Sequence, residues 1–259
     1  MENIFIKLYC SHHKKNIENI DEGIKLLEKL YTPIELCYQT TPDSSLTKVK
    51  DIKREILKAY KPNQNLVCIL HSHYPKQDLV HLTIGIALNL YEGMLKSFSP
   101  PPSTHTIDIH LKMPQTLSYI KYCYQLLQKW ASITNCFKAE AITSQESDVY
   151  AQQRNTFGKS DHQPPYDLPD LSQSMKYVKH VLIPYRFTWI NYWSQETAAY
   201  MDWSDDKASL FYKTERTQNG GLMLQLTEQP TTMERVEHQD ALRNAYLAFP
   251  KVGGRYWAK

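Results

Sequence analysis

The amino-acid sequence predicts an α+β fold in which antiparallel sheets are covered by helices. Short apolar runs rich in β-branched and aromatic residues alternate with longer amphipathic stretches, which indicates both strands and helices. The stretch Phe187–Trp193 contains four aromatic residues in seven positions and predicts a buried strand. Asn219-Gly220 separates two further strand-like runs, and this dipeptide favours a hairpin turn because both residues tolerate positive φ.

The first 145 residues contain patterns of both strand and helix periodicity. Strands are predicted at 3–9, 66–70, 79–91, 104–113 and 137–142, and amphipathic helices at 17–30, 46–60 and 116–131. A proline run at 100–102 separates the third strand from the fourth, and proline cannot donate to a β-ladder. These two strands are therefore expected to form a hairpin with a long tip, which contains Glu92.

The composition changes to Gln, Asp, Ser and Pro between residues 145 and 174. Such a segment, with few large apolar residues, predicts a linker or a long surface loop. The expected organisation is an N-terminal α+β half at 1–145, the linker or loop at 146–174, and a C-terminal α+β half at 175–259. A single continuous domain is the alternative.

The C-terminal half repeats the order strand, helical segment, two strands and helix that the N-terminal half predicts. Its expected elements after the aromatic strand are a helix at 195–201 capped by Ser194, hairpin strands at 208–216 and 221–227, and a final helix opened by a Thr231-x-x-Glu234 capping box. The buried stripe of that helix is expected to consist of Leu242, Ala245, Tyr246 and Phe249. The matching order is compatible with a duplicated unit.

The composition excludes several classes of protein. A net charge of +3 with 22% charged residues lacks the clustered excess of a dedicated nucleic-acid binder. Five cysteines, odd in number and without a C-x-x-C motif, argue against a disulfide framework or a zinc ribbon and favour a reducing compartment. The sequence has neither a signal-peptide pattern nor a run of eighteen apolar residues, so we expect a cytoplasmic protein without membrane contact.

The sequence contains none of the familiar catalytic or phosphate-binding motifs, so neither enzymatic activity nor a cofactor is expected. His71 and His73 share one face of a predicted strand end, and Cys68 or His81 would supply a third metal ligand. A metal-dependent hydrolase is therefore the alternative function, although the histidine pair lacks a companion motif and no metal site is expected. A nucleic-acid-binding module using the basic face of 46–60 is a further alternative; a solvated face is the simpler interpretation.

The C-terminal third resembles bacterial immunity proteins, which neutralise cognate toxins of polymorphic or type VI secretion systems. The residues that carry the resemblance are Trp189–Ser194 followed by a short helix, Gly221–Thr227 with Pro230 after it, and a final helix that ends at Phe249-Pro250. The N-terminal order, with a strand pair beginning at Leu82 and a helix reaching Trp130, resembles the immunity family paired with restriction-endonuclease-like nuclease toxins. The resemblance implies stoichiometric binding to a cognate toxin effector, without turnover.

The leading candidate for the partner-binding surface is Trp203 with Asp202, Asp205 and Asp206, and Glu92 is the second. A tryptophan flanked by carboxylates can combine a buried anchor with a charged rim; the alternative is that Trp203 packs onto the final helix. Inhibitors of basic nuclease clefts are usually acidic, whereas this chain is slightly basic. Three explanations are compatible with this charge: the toxin contacts this local acidic turn, the toxin is bound away from its catalytic cleft, or the toxin is not a nuclease. The sequence does not decide between a monomer and a homodimer.

Overall fold

A computed structural model describes residues 2–11, 36–39, 46–48, 66–72, 82–88, 104–113, 117–155 and 180–254, and isolated positions between them. The chain forms two compact units, Met1–Ala139 and Glu140–Lys259. Both contain helices and hydrogen-bonded strands, so the α+β prediction is confirmed.

The N-terminal unit contains a sheet with the strand order β3-β2-β4-β5-β6-β1-β7. Its strands are β1 (Glu2–Ser11), β2 (Leu36–Gln39), β3 (Leu46–Lys48), β4 (Leu66–Ser72), β5 (Leu82–Leu88), β6 (Thr104–Met113) and the first residues of β7 (Cys136–Thr143). The pairs from β3 to β1 along this order are antiparallel. The predicted alternation of β1 is confirmed, since Ile4, Ile6 and Leu8 are all fully buried.

Helix α1 (Leu117–Ile133) follows β6 and agrees with the helix predicted at 116–131. Its residues Leu127 and Trp130 are fully buried. Gly23 lies against the Trp130 indole so closely that a Cβ atom there would be 2.6 Å from the ring. Among the described residues, no helix is both long and apolar enough to cross a membrane.

The helix predicted at 46–60 is wrong at its start, because Leu46–Lys48 form β3 and pair with β2. Arg54 is helical, so part of the predicted segment keeps its helical state. Strand β2 was also not predicted from the sequence. Both errors have the same cause: strand pairing is a non-local interaction that outweighs local helical periodicity.

The C-terminal unit contains the end of β7 and three further strands in the order β7-β8-β10-β9. Its strands are β8 (Ile190–Trp193), β9 (Lys213–Arg216) and β10 (Leu222–Gln225), and its α-helices are α2 (Ser144–Asn155), α3 (Gln195–Tyr200) and α4 (Val236–Ala248). Strand β10 pairs antiparallel with both β8 and β9. The predicted hairpin is confirmed, and Gly220 in its turn has a φ of 79°.

Helix α2 overlaps the segment for which the composition predicts a linker or loop, so that prediction is wrong over 146–155. The Thr143-x-x-Glu146 pair forms a capping box, described below, that starts this helix in a polar sequence. Val149 and Tyr150 then face the core and are each 7% exposed. A local cap and two buried side chains therefore outweigh the loop-like composition.

Three predicted strands of the C-terminal unit are too long. Strand β10 covers Leu222–Gln225, where a strand was expected over 221–227. Residues 187–189 precede β8 without joining a regular ladder, and Asp205–Leu210 form a 3-10 helix where a strand was expected from 208. The cap at Ser194 is confirmed, because its side chain accepts a hydrogen bond from the Thr197 amide.

The final helix has the predicted buried stripe but a different start. Leu242, Ala245, Tyr246 and Phe249 are at most 1% exposed. The capping box expected at Thr231 and Glu234 is absent, since α4 begins after Arg235, which caps it without a side-chain hydrogen bond. The imidazole of His238 instead accepts a hydrogen bond from the Thr232 amide, 3.1 Å away, and so fixes the chain before the helix.

Candidate functional site

An aromatic cluster, consisting of Phe187, Trp193, Trp203, Phe211 and Phe249, occupies the centre of the C-terminal unit. The ring centroids of Trp193 and Phe249 are 5.2 Å apart at 84°, an edge-to-face contact. Phe187 lies 5.7 Å from Trp193 at a tilted angle. Such geometries suit the quadrupoles of aromatic rings. The aromatic side chains of 187–193 therefore belong to the core, and they position the turn that follows α3.

Trp203 reaches this cluster because the chain reverses sharply at the end of α3. The Trp203 amide donates to the carbonyl of Ala198 at 2.9 Å, and Asp202 adopts a φ of 55° to allow it. The Trp203 ring stacks on Phe249 with centroids 6.0 Å apart and an interplanar angle of 4°. Trp203 thus packs onto Phe249, the residue that caps the C-terminal end of α4, while its indole N–H points toward Asp205 at 3.3 Å.

The three aspartates of this turn are exposed, but two of them pair with basic side chains. Asp202 lies 2.6 Å from the ammonium group of Lys251, and Asp205 lies 3.2 Å from the guanidinium of Arg216. Asp206 has no ion-pair partner among the described residues, and a hydrogen bond from the Ser204 side chain holds the pKa of its carboxyl below the ordinary value. Because of these two ion pairs, the surface around the turn carries less net negative charge than its three aspartates alone would give it.

We expect Trp203→Ala to lower the free energy of unfolding by about 2–4 kcal/mol, because it removes a ring that stacks on the aromatic core. Chemical denaturation followed by circular dichroism measures this loss. Asp206→Asn, in the same turn, is the control and should shift the unfolding midpoint far less, because the Asp206 side chain is exposed. Equal midpoints for both variants would show that the Trp203 ring is not anchored in the core.

The other candidate residues of the sequence analysis lie mostly outside the described residues. Glu92, His73 and His81 are among these. His71 belongs to β4, where its backbone is opposite Thr83 of β5 and Cys37 of β2. Within the described part of the chain, no three His, Cys, Asp or Glu side chains are grouped so that they could hold a metal ion.

The C-terminal unit also contains a buried polar cluster that was not predicted from the sequence. We call it the Glu146 cluster, and it consists of Glu140, Glu146, Tyr150, Arg186 and Tyr246. The Arg186 guanidinium binds both carboxylate oxygens of Glu140, at 2.6 Å to Oε1 and 3.3 Å to Oε2. The same guanidinium lies 4.6 Å above the ring of Tyr150. Arg186 thus joins β7 to α2.

Glu146 closes the capping box of α2. Its Oε2 accepts the Thr143 amide proton at 2.9 Å, and its own amide donates to the Thr143 hydroxyl oxygen at 3.1 Å. The Thr143 hydroxyl donates onward to the carbonyl of Thr231 at 3.0 Å. Burial raises the pKa of Glu146 to about 8, although the Thr143 hydrogen bonds and the charge of Arg186 oppose the shift. The capping carboxyl is therefore neutral at neutral pH.

The two tyrosines of the cluster hold the chain where it enters β8. The Tyr150 hydroxyl donates to the carbonyl of Phe187 at 2.8 Å, and the Phe187 amide donates to the Tyr246 hydroxyl oxygen at 3.0 Å. The two hydroxyl oxygens are 3.4 Å apart, which is within hydrogen-bond distance. Burial raises the pKa of both phenols, which keeps them neutral. The cluster can therefore hold a proton on Glu146, and its two tyrosine hydroxyl groups fix the backbone of Phe187.

The sequence carried one signal for this cluster, which is the Thr143-x-x-Glu146 spacing of a capping box. This spacing does not predict a helix by itself, because the composition of the residues that follow is typical of a loop. The Arg186–Glu140 pair had no signal, since its members are 46 residues apart and only the fold brings them together.

The exposed charged surface of the C-terminal unit is mainly acidic in its described part. The exposed acidic residues are Asp148, Glu196, Asp202, Asp205, Asp206, Glu228, Glu234 and Glu237, and the exposed basic residues are Lys213, Arg216 and Arg235. This excess contrasts with the net positive charge of the whole chain. Such a surface suits a basic partner.

The family described as "Domain of unknown function (DUF5953)" matches residues 27–257. No curated protein sequence matches the chain. Among solved structures, Pseudomonas aeruginosa T6SS protein PA0821 is similar with a TM-score of 0.59 and 14% sequence identity; the match covers 99% of this chain and 74% of that one. At this identity, the likeness shows that the two proteins share a fold.

Proposed function

The chain belongs to the DUF5953 family, and we propose that it is an immunity protein that binds and neutralises a cognate bacterial toxin effector. The observation that carries the proposal is a fold shared over 99% of this chain with a protein of the type VI secretion system. The sequence resemblance to immunity proteins supports the neutralising role. Binding of one toxin domain by each immunity protein requires a complementary surface and no reaction chemistry.

The partner is proposed to be a basic toxin domain, such as a nuclease. The acidic surface of the C-terminal unit supports this choice, because complementary charge speeds association and disfavours wrong partners. Within that surface, the proposed contact residues are Trp203, Asp202, Asp205 and Asp206. Glu92 belongs to the N-terminal unit, lies outside the described residues, and is proposed as a separate contact. Trp203 presents only the part of its ring that does not stack on Phe249, so the carboxylates form most of this contact.

The test is whether the chain protects cells from the toxin encoded beside it. Co-expression should restore growth, and the two proteins should co-purify as a stoichiometric complex. Protection without a complex, or neither result, would contradict the proposal. Because an immunity protein must meet its toxin before damage occurs, a cytoplasmic location is part of this proposal, and fractionation of the producing cells measures it.

The contact surface is tested by reversing charge within the turn. The double variant Asp205→Lys with Asp206→Lys should slow association with the toxin about tenfold at low salt, and the difference should shrink as salt is added. Stopped-flow or surface-plasmon measurements give the association rate. The matched control reverses Glu234 and Glu237, which are exposed before and within the first turn of α4. Equal rates for both double variants would exclude the turn as the contact.

A further inference from the structure

Among the described residues of the C-terminal unit, two carboxyl groups and one guanidinium share the interior, so one of these carboxyl groups lacks a counterion within this set. Glu140 is 4% exposed and Glu146 is fully buried. The bidentate geometry of Arg186 directs its guanidinium to Glu140. If both carboxyl groups were ionised, the buried group of charges would carry a net negative charge. Burying an uncompensated charge is strongly unfavourable.

The hydrogen bonds of Glu146 lead to the same conclusion. Its Oε2 accepts the Thr143 amide proton, whereas its Oε1 is buried without a hydrogen-bond partner among the described residues. A carboxylate spreads its charge over both oxygens and needs donors at each. One oxygen here has none, so the site suits a neutral carboxylic acid better than an anion.

The groups that face Glu146 come from each element packed around it. Tyr150 lies one turn further along α2, Glu140 lies on β7, Arg186 precedes β8, and Tyr246 lies on α4. Arg186 is the cation among these groups, and it binds Glu140. The two phenols are neutral and their hydroxyl groups are engaged with Phe187 and with each other. None of them supplies a second positive charge.

We propose that Glu146 is a pH-sensitive latch on the first turn of α2, closed while its carboxyl group keeps a proton and released when the proton is lost. The latch controls more than one turn of helix. Thr143 of the capping box donates to the Thr231 carbonyl, and Gln145 accepts a hydrogen bond from Thr232. Opening the start of α2 therefore also frees the segment that leads into α4.

The direction of the pH effect follows from the two states of the carboxyl group. In the closed state its pKa is about 8, and in the opened, solvated state it returns toward 4.5. Opening therefore releases one proton between these values. The equilibrium constant for opening should rise up to about tenfold per pH unit across this window and level off above it. The latch is therefore firmest below about pH 4.5 and weakens as the pH rises to about 8.

Hydrogen exchange in the full-length protein tests the latch. Protection factors of the α2 amides, corrected for base catalysis of exchange, are measured between pH 5 and pH 9. In the wild type they should fall steeply up to about pH 8 and then become constant. Glu146→Gln keeps the shape and the capping hydrogen bond without the titrating proton, so its protection should be independent of pH. A steep fall retained in Glu146→Gln would overturn the proposal.

Two further variants separate the latch from general effects of charge. Asp148→Asn removes an exposed carboxyl from the same helix and should follow the wild-type curve. Glu140→Gln frees Arg186 to pair with Glu146, so the protection factors should become constant at a lower pH. If Glu146→Gln does not fold, the ¹³C resonance of the Glu146 carboxyl in the wild-type protein decides the matter. Titration of that resonance near pH 4.5 would refute the latch.

Discussion

Replacing Trp193 with alanine should lower the free energy of unfolding by about 3–5 kcal/mol, the largest loss that we expect from truncating one side chain. Trp193 is 1% exposed and its ring touches three others, those of Phe187, Trp203 and Phe249. The substitution leaves a cavity whose aromatic walls cannot close without moving β8. Urea denaturation followed by far-UV circular dichroism gives the value.

The control for Trp193→Ala is Tyr212→Ala, which removes a ring that is 57% exposed and hydrogen-bonded to Glu228 at the surface. Its unfolding midpoint should equal that of the wild type. A similar loss in both variants would mean that the aromatic cluster contributes no more to stability than an exposed ring does.

The second large effect is expected from Arg186→Met. This variant leaves Glu140 and Glu146 buried together without a cation, and removing one partner of a buried ion pair typically costs about 3–5 kcal/mol. The loss should grow with pH, because the charge of Arg186 lowers the pKa of Glu146 and its removal allows that pKa to rise. Denaturation at several pH values measures both features.

Two comparisons make the Arg186 result specific. The double variant Arg186→Met with Glu140→Gln should recover most of the lost stability, since it removes the uncompensated carboxylate as well. Arg216→Met breaks the exposed pair with Asp205, whose side chain is 85% exposed, and exposed pairs contribute only about 0–1 kcal/mol. An equal loss from Arg216→Met and Arg186→Met would contradict the distinction between the two ion pairs.

The parts of the fold that the sequence predicts are those set by local periodicity. The alternating residues of β1 and the buried stripe of α4 are visible because each apolar side chain recurs at the spacing of its own element. The cap at Ser194 and the turn at Gly220 are equally local, since each depends on residues within four positions. These predictions needed no knowledge of distant partners.

The parts that the sequence analysis missed depend on distant contacts or on polar groups inside the core. Residues 46–48 become a strand through pairing with β2. The Glu140–Arg186 pair is invisible to hydropathy, because charged residues are expected at the surface. Trp203 shows why binding residues are hard to predict from sequence alone. Tryptophan is a common binding anchor, but here its ring stacks on Phe249, and this contact is visible only in the folded structure.

The positive φ of Asp202 has a consequence for how related chains diverge. A φ of 55° is tolerated by aspartate, asparagine and glycine far better than by other residues. Homologues are therefore expected to keep one of these three at this position, whatever partner they bind. Positions 205 and 206 are exposed and have no positive φ, so the backbone there does not restrict the type of side chain. Variation in partner preference should thus accumulate at 205 and 206, while 202 preserves the shape of the turn.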